Sequence, residues 1–374
     1  MTYVERATRA GPKRLLALDG GGIRGLITVE ILAHLEAQLR RATGNDALVL
    51  ADYFDYVAGT STGAIIATSI AKGFPIERTR DLYVQAAHSL FKRAPWWHRF
   101  NYGYVSLALE AKLKAELGDE TFGDPALRTL LLLVLRNADT GSTWPLSNNP
   151  FAKYNDPALP GSNLNLPLWQ VIRASTAAPT YFPPQEIVID GRARKFVDGS
   201  VSVYANPAFI LFLMATLPEY RLEWTTGEDA MMLVSVGTGS LATAAENVKA
   251  SQMTLLYNAR HVPSALLGAA NVEQDVLCRI AGRCRYGGPI NSELGSLVDV
   301  HADHATYWPK RFTYVRYNPE LTQPGLEELG LSDIRAETVQ PLLSSTNIED
   351  LRRIGTAYAA SAIDPAHFGS HWPS

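Results

Sequence analysis

The chain has 374 residues, 47% of them hydrophobic, which suffices for a large core in one big domain or two ordinary ones. Its formal charge of −3 arises from 34 Lys and Arg interspersed with 37 Asp and Glu, a balance that offers no polyanion-binding surface and argues against a nucleic-acid polymer as partner. Two cysteines, Cys278 and Cys284, are too few for a disulfide framework and match no common zinc or redox spacing, so a reducing compartment is expected.

Met1 to Arg9 lacks the apolar stretch of a secretory signal, and the longest apolar runs, Leu130 to Leu135 and Ala208 to Leu217, are too short to cross a bilayer. A cytoplasmic protein that touches a membrane from one side is expected. Arg14 to Asp19 predicts a buried strand running into Gly20-Gly21-Gly22-Ile23-Arg24-Gly25. From Leu26 to Arg41, the positions Leu26, Val29, Ile31, Leu32, Leu35 and Leu39 approximate helical spacing and predict an amphipathic helix. Phe54 to Ala58 reads as the second strand, Gly59 to Gly63 as a turn, Ala64 to about Lys72 as a helix and Ile76 to about Phe91 as another. Alternating strands and helices, with unbroken apolar strands, predict an α/β layered fold around a largely parallel sheet covered on both faces.

Thr129 to Leu135 predicts a further buried strand, and a polar stretch from Asn148 to Asn165 follows it. Leu168 to Ser175 reads as helix, and Glu186 to Ile189 and Arg194 to Val197 as two short strands joined by an Asp190-Gly191 hairpin. Pro207 to Leu217 predicts a helix and Ala230 to Val236 a strand ending in Gly237-Thr238-Gly239. Beyond about residue 250 the pattern is mostly helical, with one more strand at Phe312 to Arg316. Without an internal repeat or a low-complexity linker, a single domain over residues 1–374 is expected.

Ser61 carries the main chemical hypothesis. It stands in Gly59-Thr60-Ser61-Thr62-Gly63 between a strand and a helix, where a nucleophile elbow needs a tight turn with small neighbours and a helix N-terminus beneath it. A strand-to-helix loop whose Ser or Thr only caps the helix is the plainer alternative. Gly20 to Gly25 fits G-x-G-x-x-G, yet Asp19 would repel a pyrophosphate, no strand with an acidic end follows about twenty residues on, and the G-K-[ST] ending of a phosphate loop is missing. An anion-binding nest of backbone N–H groups for an oxyanion is favoured, with Arg24 adding positive charge or fixing the loop.

A serine needs a partner to take its proton. The eight histidines, His34, His88, His98, His261, His301, His304, His367 and His371, stand in no recognisable motif, and His301-Ala302-Asp303-His304 is a weak metal spacing. Asp190-Gly191 is explained by its turn, whereas Asp198-Gly199-Ser200 ends a strand where active-site side chains gather, so Asp198 is the better candidate base.

These segments resemble patatin-like phospholipases of the bacterial type. Asp19 to Gly25, Gly59 to Gly63, Ala174-Ser-Thr-Ala-Ala-Pro-Thr-Tyr-Phe-Pro183 and Asp198-Gly199 occur in that family's order and spacing, as do Ala205-Asn206-Pro207 and Ser235 to Gly239. The resemblance covers roughly residues 14–240 and implies a three-layer α/β/α fold with a mostly parallel central sheet, a catalytic core at about 14–240 and a helical C-terminal part at about 241–374. It implies a Ser–Asp dyad without histidine or cofactor: Ser61 as nucleophile, Asp198 as base, and Gly20, Gly21, Gly22 and Arg24 at the oxyanion hole. Gly59, Thr60, Thr62 and Gly63 would form the elbow. Ser200 departs from the glycine or alanine usual after Asp-Gly.

The implied substrates are acyl esters of membrane phospholipids or lysophospholipids, and the aromatic and basic stretch Pro95 to Tyr104 suits a membrane interface as well as it suits packing or a dimer contact. Some bacterial members are switched on by cyclic nucleotides in antiphage defence. A cyclic-nucleotide activator and a homo-oligomeric surface after Lys249 therefore form a second expectation, and a non-hydrolytic nucleotide-binding protein a third.

Overall fold

In a computed structural model, the described residues form one sheet of nine strands. The described residues are 1–90, 103–179, 181–241, 254–291, 294–296, 309–342 and 347–373. The strands are β1 (Lys13–Leu18), β2 (Tyr56–Thr60), β3 (Leu130–Asn137), β4 (Thr143–Ser147), β5 (Gln185–Ile189), β6 (Arg192–Asp198), β7 (Met231–Val236), β8 (Arg283–Tyr286) and β9 (Thr313–Tyr317). β1 is central, with β2 and then β3 on one side and β7, β9 and β8 on the other, all parallel. β4 and β6 run antiparallel to β3, and β5 antiparallel to β6. Every residue of β2, β7 and β9 is buried, so helices cover both faces, as the unbroken apolar runs imply.

The helices are α1 (Tyr3–Thr8), α2 (Gly25–Thr43), α3 (Leu50–Tyr53), α4 (Thr62–Ala71), α5 (Ile76–Leu90), α6 (Gly103–Leu117), α7 (Leu168–Ser175), α8 (Ala208–Thr216), α9 (Leu255–Ala281), α10 (Gln323–Glu328), α11 (Ala336–Val339) and α12 (Ile348–Ala362). α2 packs against α12, α5 and α4, and α4 also meets α7, whereas α8 packs on β1, β7 and α9. Leu26, Val29, Leu32, Leu35 and Leu39 of α2 are buried, and each such side chain contributes roughly 1.5–3 kcal/mol. Among the described residues, no helix is long and apolar enough to cross a membrane.

Among the described residues, the chain after residue 240 is mainly helical and also completes the sheet. It supplies β9, expected from Phe312 to Arg316, and β8, which the sequence reading missed because Arg283-Cys-Arg-Tyr286 is a short, charged edge segment. α12 returns to α2, where Arg352 pairs with Glu30 at 2.8 Å. β4 and α6 were likewise not foreseen: β4 carries Pro145, and the apolar residues of α6 form no single stripe. β2 starts two residues later than expected, because Leu50–Tyr53 forms a helical turn first. The hairpin is as read, with Asp190 at φ 52° and Gly191 at φ 69° between β5 and β6. Of the aromatic and basic stretch, Pro95 to Tyr102 lies outside the described residues, as does His301 to His304.

Candidate active site

Ser61 adopts φ 55° and ψ −123° between the end of β2 and the first residue of α4. A left-handed φ at a non-glycine residue costs roughly 1–3 kcal/mol and persists only where its surroundings enforce it. Two contacts do so: the Ser61 N–H donates to Ser175 Oγ at 3.0 Å, and the Ser61 carbonyl accepts from the Ala64 N–H at 2.8 Å. Ser175 Oγ donates in turn to the Val134 carbonyl at 2.7 Å, which fixes its lone pairs toward the elbow. The strand and helix meet so closely that a Cβ on Gly59 would strike the Gly63 carbonyl. The sequence reading placed Ser175 in a family-like segment without a role; its bond to Ser61 spans 114 residues and exists only in the fold.

Asp198 reaches Ser61 through the register of β3. One edge of β3 is occupied by β4 over Leu132 to Arg136. The other edge pairs with β2 up to Thr60 opposite Val134, and then with β6 from Asp198 opposite Leu135. Ser61 and Asp198 therefore sit at consecutive steps along that edge, where β2 stops and β6 arrives from the opposite direction. Ser61 Oγ donates to Asp198 Oδ2 at 2.6 Å, and the Ser200 N–H donates to Asp198 Oδ1 at 2.7 Å. Burial raises the Asp198 pKa to about 6, against the opposing pull of the Ser61 and Ser200 hydrogen bonds and the Arg173 charge. Asp198 is thus a better-matched base than an exposed aspartate near 3.9, while still largely ionised at neutral pH.

The glycine loop packs onto this pair, a Cβ on Gly20 coming within 3.2 Å of Ser61 Cβ. Its amides are not equivalent. The Gly20 N–H donates to the Ala205 carbonyl at 3.0 Å and the Gly21 N–H to Thr62 Oγ1 at 3.2 Å, so Gly20 is engaged in holding the loop rather than presented as a free donor. The Gly22 N–H has no partner among the described residues. Gly22 has φ 56° and lies against the Leu342 carbonyl, a position with neither the torsion nor the space for a side chain. Thr62, first in α4, adds an N–H that has no intrahelical acceptor. Arg24 is buried, and its Nε and Nη1 have no hydrogen-bond partner among the described residues. Burial lowers its pKa to about 10, opposed by Asp19, which leaves it cationic at neutral pH.

Asp19 is not the free charge that the sequence suggested. Arg316 of β9 grips both carboxylate oxygens, at 2.9 and 2.5 Å, and also donates to Ser235 Oγ at 2.7 Å. Burial opposes the Arg316 charge, but attraction and hydrogen bonds from Asp19 outweigh it and keep this guanidinium firmly protonated. Repulsion by Asp19 therefore does not exclude a pyrophosphate. The engaged Gly20 and Gly21 amides, and a serine directly in front of the loop, count against one instead.

Among the histidines with described side chains, His34 meets Gln38, His367 meets Tyr317 and His371 meets the Glu228 carbonyl, all away from Ser61. The described residues contain no group of three or more His, Cys, Asp or Glu placed to hold a metal ion.

Fold and site together define an α/β protein with a strained serine on a strand-to-helix elbow, bonded to a buried aspartate. The chain belongs to the patatin-like phospholipase family, whose model matches residues 16–212, more than half its length. It is 32% identical over 244 residues to Patatin-1-Kuras 2 of Solanum tuberosum, covering 60% of this chain and 62% of that protein. It is 27% identical over 280 residues to Patatin-like protein 4 of Arabidopsis thaliana, covering 68% and 67%. The chain spans about three-fifths of the length of the potato patatins it matches. Human GIVD cytosolic phospholipase A2 superposes with a TM-score of 0.45 at 13% identity, over 96% of this chain and 60% of that one.

Proposed function

We propose that the protein is a lipid acyl hydrolase that cleaves carboxylic esters of membrane phospholipids or lysophospholipids through Ser61 and Asp198. The observation that carries this reading is the 2.6 Å bond from Ser61 Oγ to Asp198 Oδ2, with the serine held in a strained elbow. Asp198 takes the proton as Ser61 Oγ attacks the ester carbonyl. The developing oxyanion is met by the Gly22 N–H of the glycine loop and by the Thr62 N–H at the positive end of α4. The tetrahedral intermediate expels the alcohol, which takes the proton from Asp198, and an acyl-enzyme remains. Water attacks it with Asp198 again as base, and fatty acid leaves as Ser61 regains its proton. Removing one such oxyanion donor costs roughly 3–4 kcal/mol in comparable sites.

The mouth of the site suits transient contact with a lipid surface. Val201 and Val203, in the segment after Asp198, are exposed, as is Tyr181 between α7 and β5. The test is hydrolysis of phospholipid and lysophospholipid micelles by the wild type and by Ser61→Ala. Fatty acid released by the wild type alone supports the reading, and equal release by both contradicts it.

A further inference from the structure

Three consecutive glycines, Gly20 to Gly22, have little conformational preference of their own. A donor on such a loop is preorganised only if contacts from outside the loop hold its backbone still. Among the described residues, the amides of Gly20, Gly21, Ile23, Arg24 and Gly25 are all engaged. The Gly22 N–H, in the peptide between Gly21 and Gly22, is left as the free donor.

The peptides on either side of it are both anchored. In the Gly20–Gly21 peptide, the carbonyl accepts from Thr238 Oγ1 at 3.3 Å and the N–H donates to Thr62 Oγ1 at 3.2 Å. In the Gly22–Ile23 peptide, the N–H donates to the Leu342 carbonyl at 2.9 Å. Its carbonyl accepts from the Tyr83 hydroxyl and, closing the turn, from the Gly25 N–H. Leu342 lies between α11 and α12, beyond the stretch that the family model matches.

Tyr83 is buried on α5, and the loop makes room for it. Gly25, first in α2, has φ −55°, a helical torsion open to any residue, yet a Cβ there would strike the Tyr83 hydroxyl. The glycine thus serves space rather than torsion at this position. Burial pushes the Tyr83 phenol up, against the pull of Thr62 and the Gly25 N–H, so the hydroxyl keeps its proton at neutral pH. It has that one proton to donate, and the Gly22 carbonyl receives it.

We infer that Tyr83 is a positioning residue for the oxyanion hole: its hydroxyl, with the Leu342 carbonyl, clamps the Gly22–Ile23 peptide and so keeps the adjoining Gly22 N–H aligned on the oxyanion. This role rests on the hydrolase reading and adds the side chain that holds its donor in register.

Two readouts test it in the wild type, Tyr83→Phe and Thr79→Val. The first is kcat and KM on 4-nitrophenyl butyrate. The second is inhibition by palmityl trifluoromethyl ketone, to whose carbonyl carbon Ser61 Oγ adds; the π pair moves to oxygen as an oxyanion and the serine proton passes to Asp198. Tyr83→Phe is expected to lower kcat roughly tenfold, leave KM near the wild-type value and weaken ketone inhibition by the same factor, since both report the oxyanion. Thr79 stands one turn earlier on α5, its buried hydroxyl without a hydrogen-bond partner among the described residues, so Thr79→Val should leave both readouts unchanged. Gly25→Ala displaces the Tyr83 hydroxyl from the α2 side, should act in the same direction, and serves if Tyr83→Phe fails to fold by its melting temperature. Wild-type kcat and ketone inhibition in folded Tyr83→Phe, with Ser61→Ala inactive, overturn this inference alone. A loss that Thr79→Val shares overturns it too. A wild type that neither hydrolyses the ester nor binds the ketone contradicts the hydrolase reading, and the role of Tyr83 falls with it.

Discussion

Ser61 and Asp198 are joined because β2 and β6 divide one edge of β3 between them: Thr60 pairs with Val134, and Asp198 pairs with Leu135, the next residue. Their 2.6 Å hydrogen bond is thus placed by backbone register. The aspartate is held on its other oxygen by the Ser200 N–H.

The pKa of Asp198, raised to about 6 chiefly by burial, gives the acid limb of activity a definite position. The base works only when deprotonated, so kcat/KM on a neutral ester should be full well above pH 6 and fall about tenfold per unit below it. Asp198→Asn should lose on the order of 10²–10⁴-fold, the span attributed to positioned acid–base groups, and lose that acid limb with it. A pH profile of both proteins checks this.

Ser175 keeps the strained elbow in place by accepting the Ser61 N–H. Ser175→Ala leaves that buried donor unsatisfied, which costs roughly 1–3 kcal/mol. The expected outcome is a lowered melting temperature together with a fall in kcat that exceeds any rise in KM. Thermal denaturation and steady-state kinetics on one preparation measure both.

Arg316 ties β9 to the start of the glycine loop through Asp19. Removing one partner of a buried pair leaves an uncompensated charge and costs about 3–5 kcal/mol. Arg316→Ala should therefore unfold at clearly lower urea concentration than the wild type, and Arg316→Lys should recover only part of the loss, because it cannot grip both oxygens. Urea titrations of the three proteins provide the comparison.

Continuous apolar runs made β1, β3 and β7 legible before any coordinates, and Asp190-Gly191 announced its hairpin. β8 and β4 were not legible because their stability comes from pairing with a neighbouring strand rather than from an apolar run of their own. Ser61 and Asp198 could be read because each lies in a short local pattern. Ser175 and Arg316 could not be assigned roles: their partners lie 114 and 297 residues away, and nothing local marks a hydroxyl aimed at a backbone amide or a guanidinium aimed at a loop carboxylate. Asp19 shows the same limit from the other side, since its charge was visible in the sequence and its neutralising partner was not.

The central claim, that Ser61 is an activated nucleophile with Asp198 as its base, is tested most directly by covalent labelling with a fluorophosphonate followed by peptide mapping. The wild type should carry one label on Ser61, Asp198→Asn should react at least a hundredfold more slowly, and Ser61→Ala should take none. A label on another serine, or equal labelling of Asp198→Asn, would contradict the account.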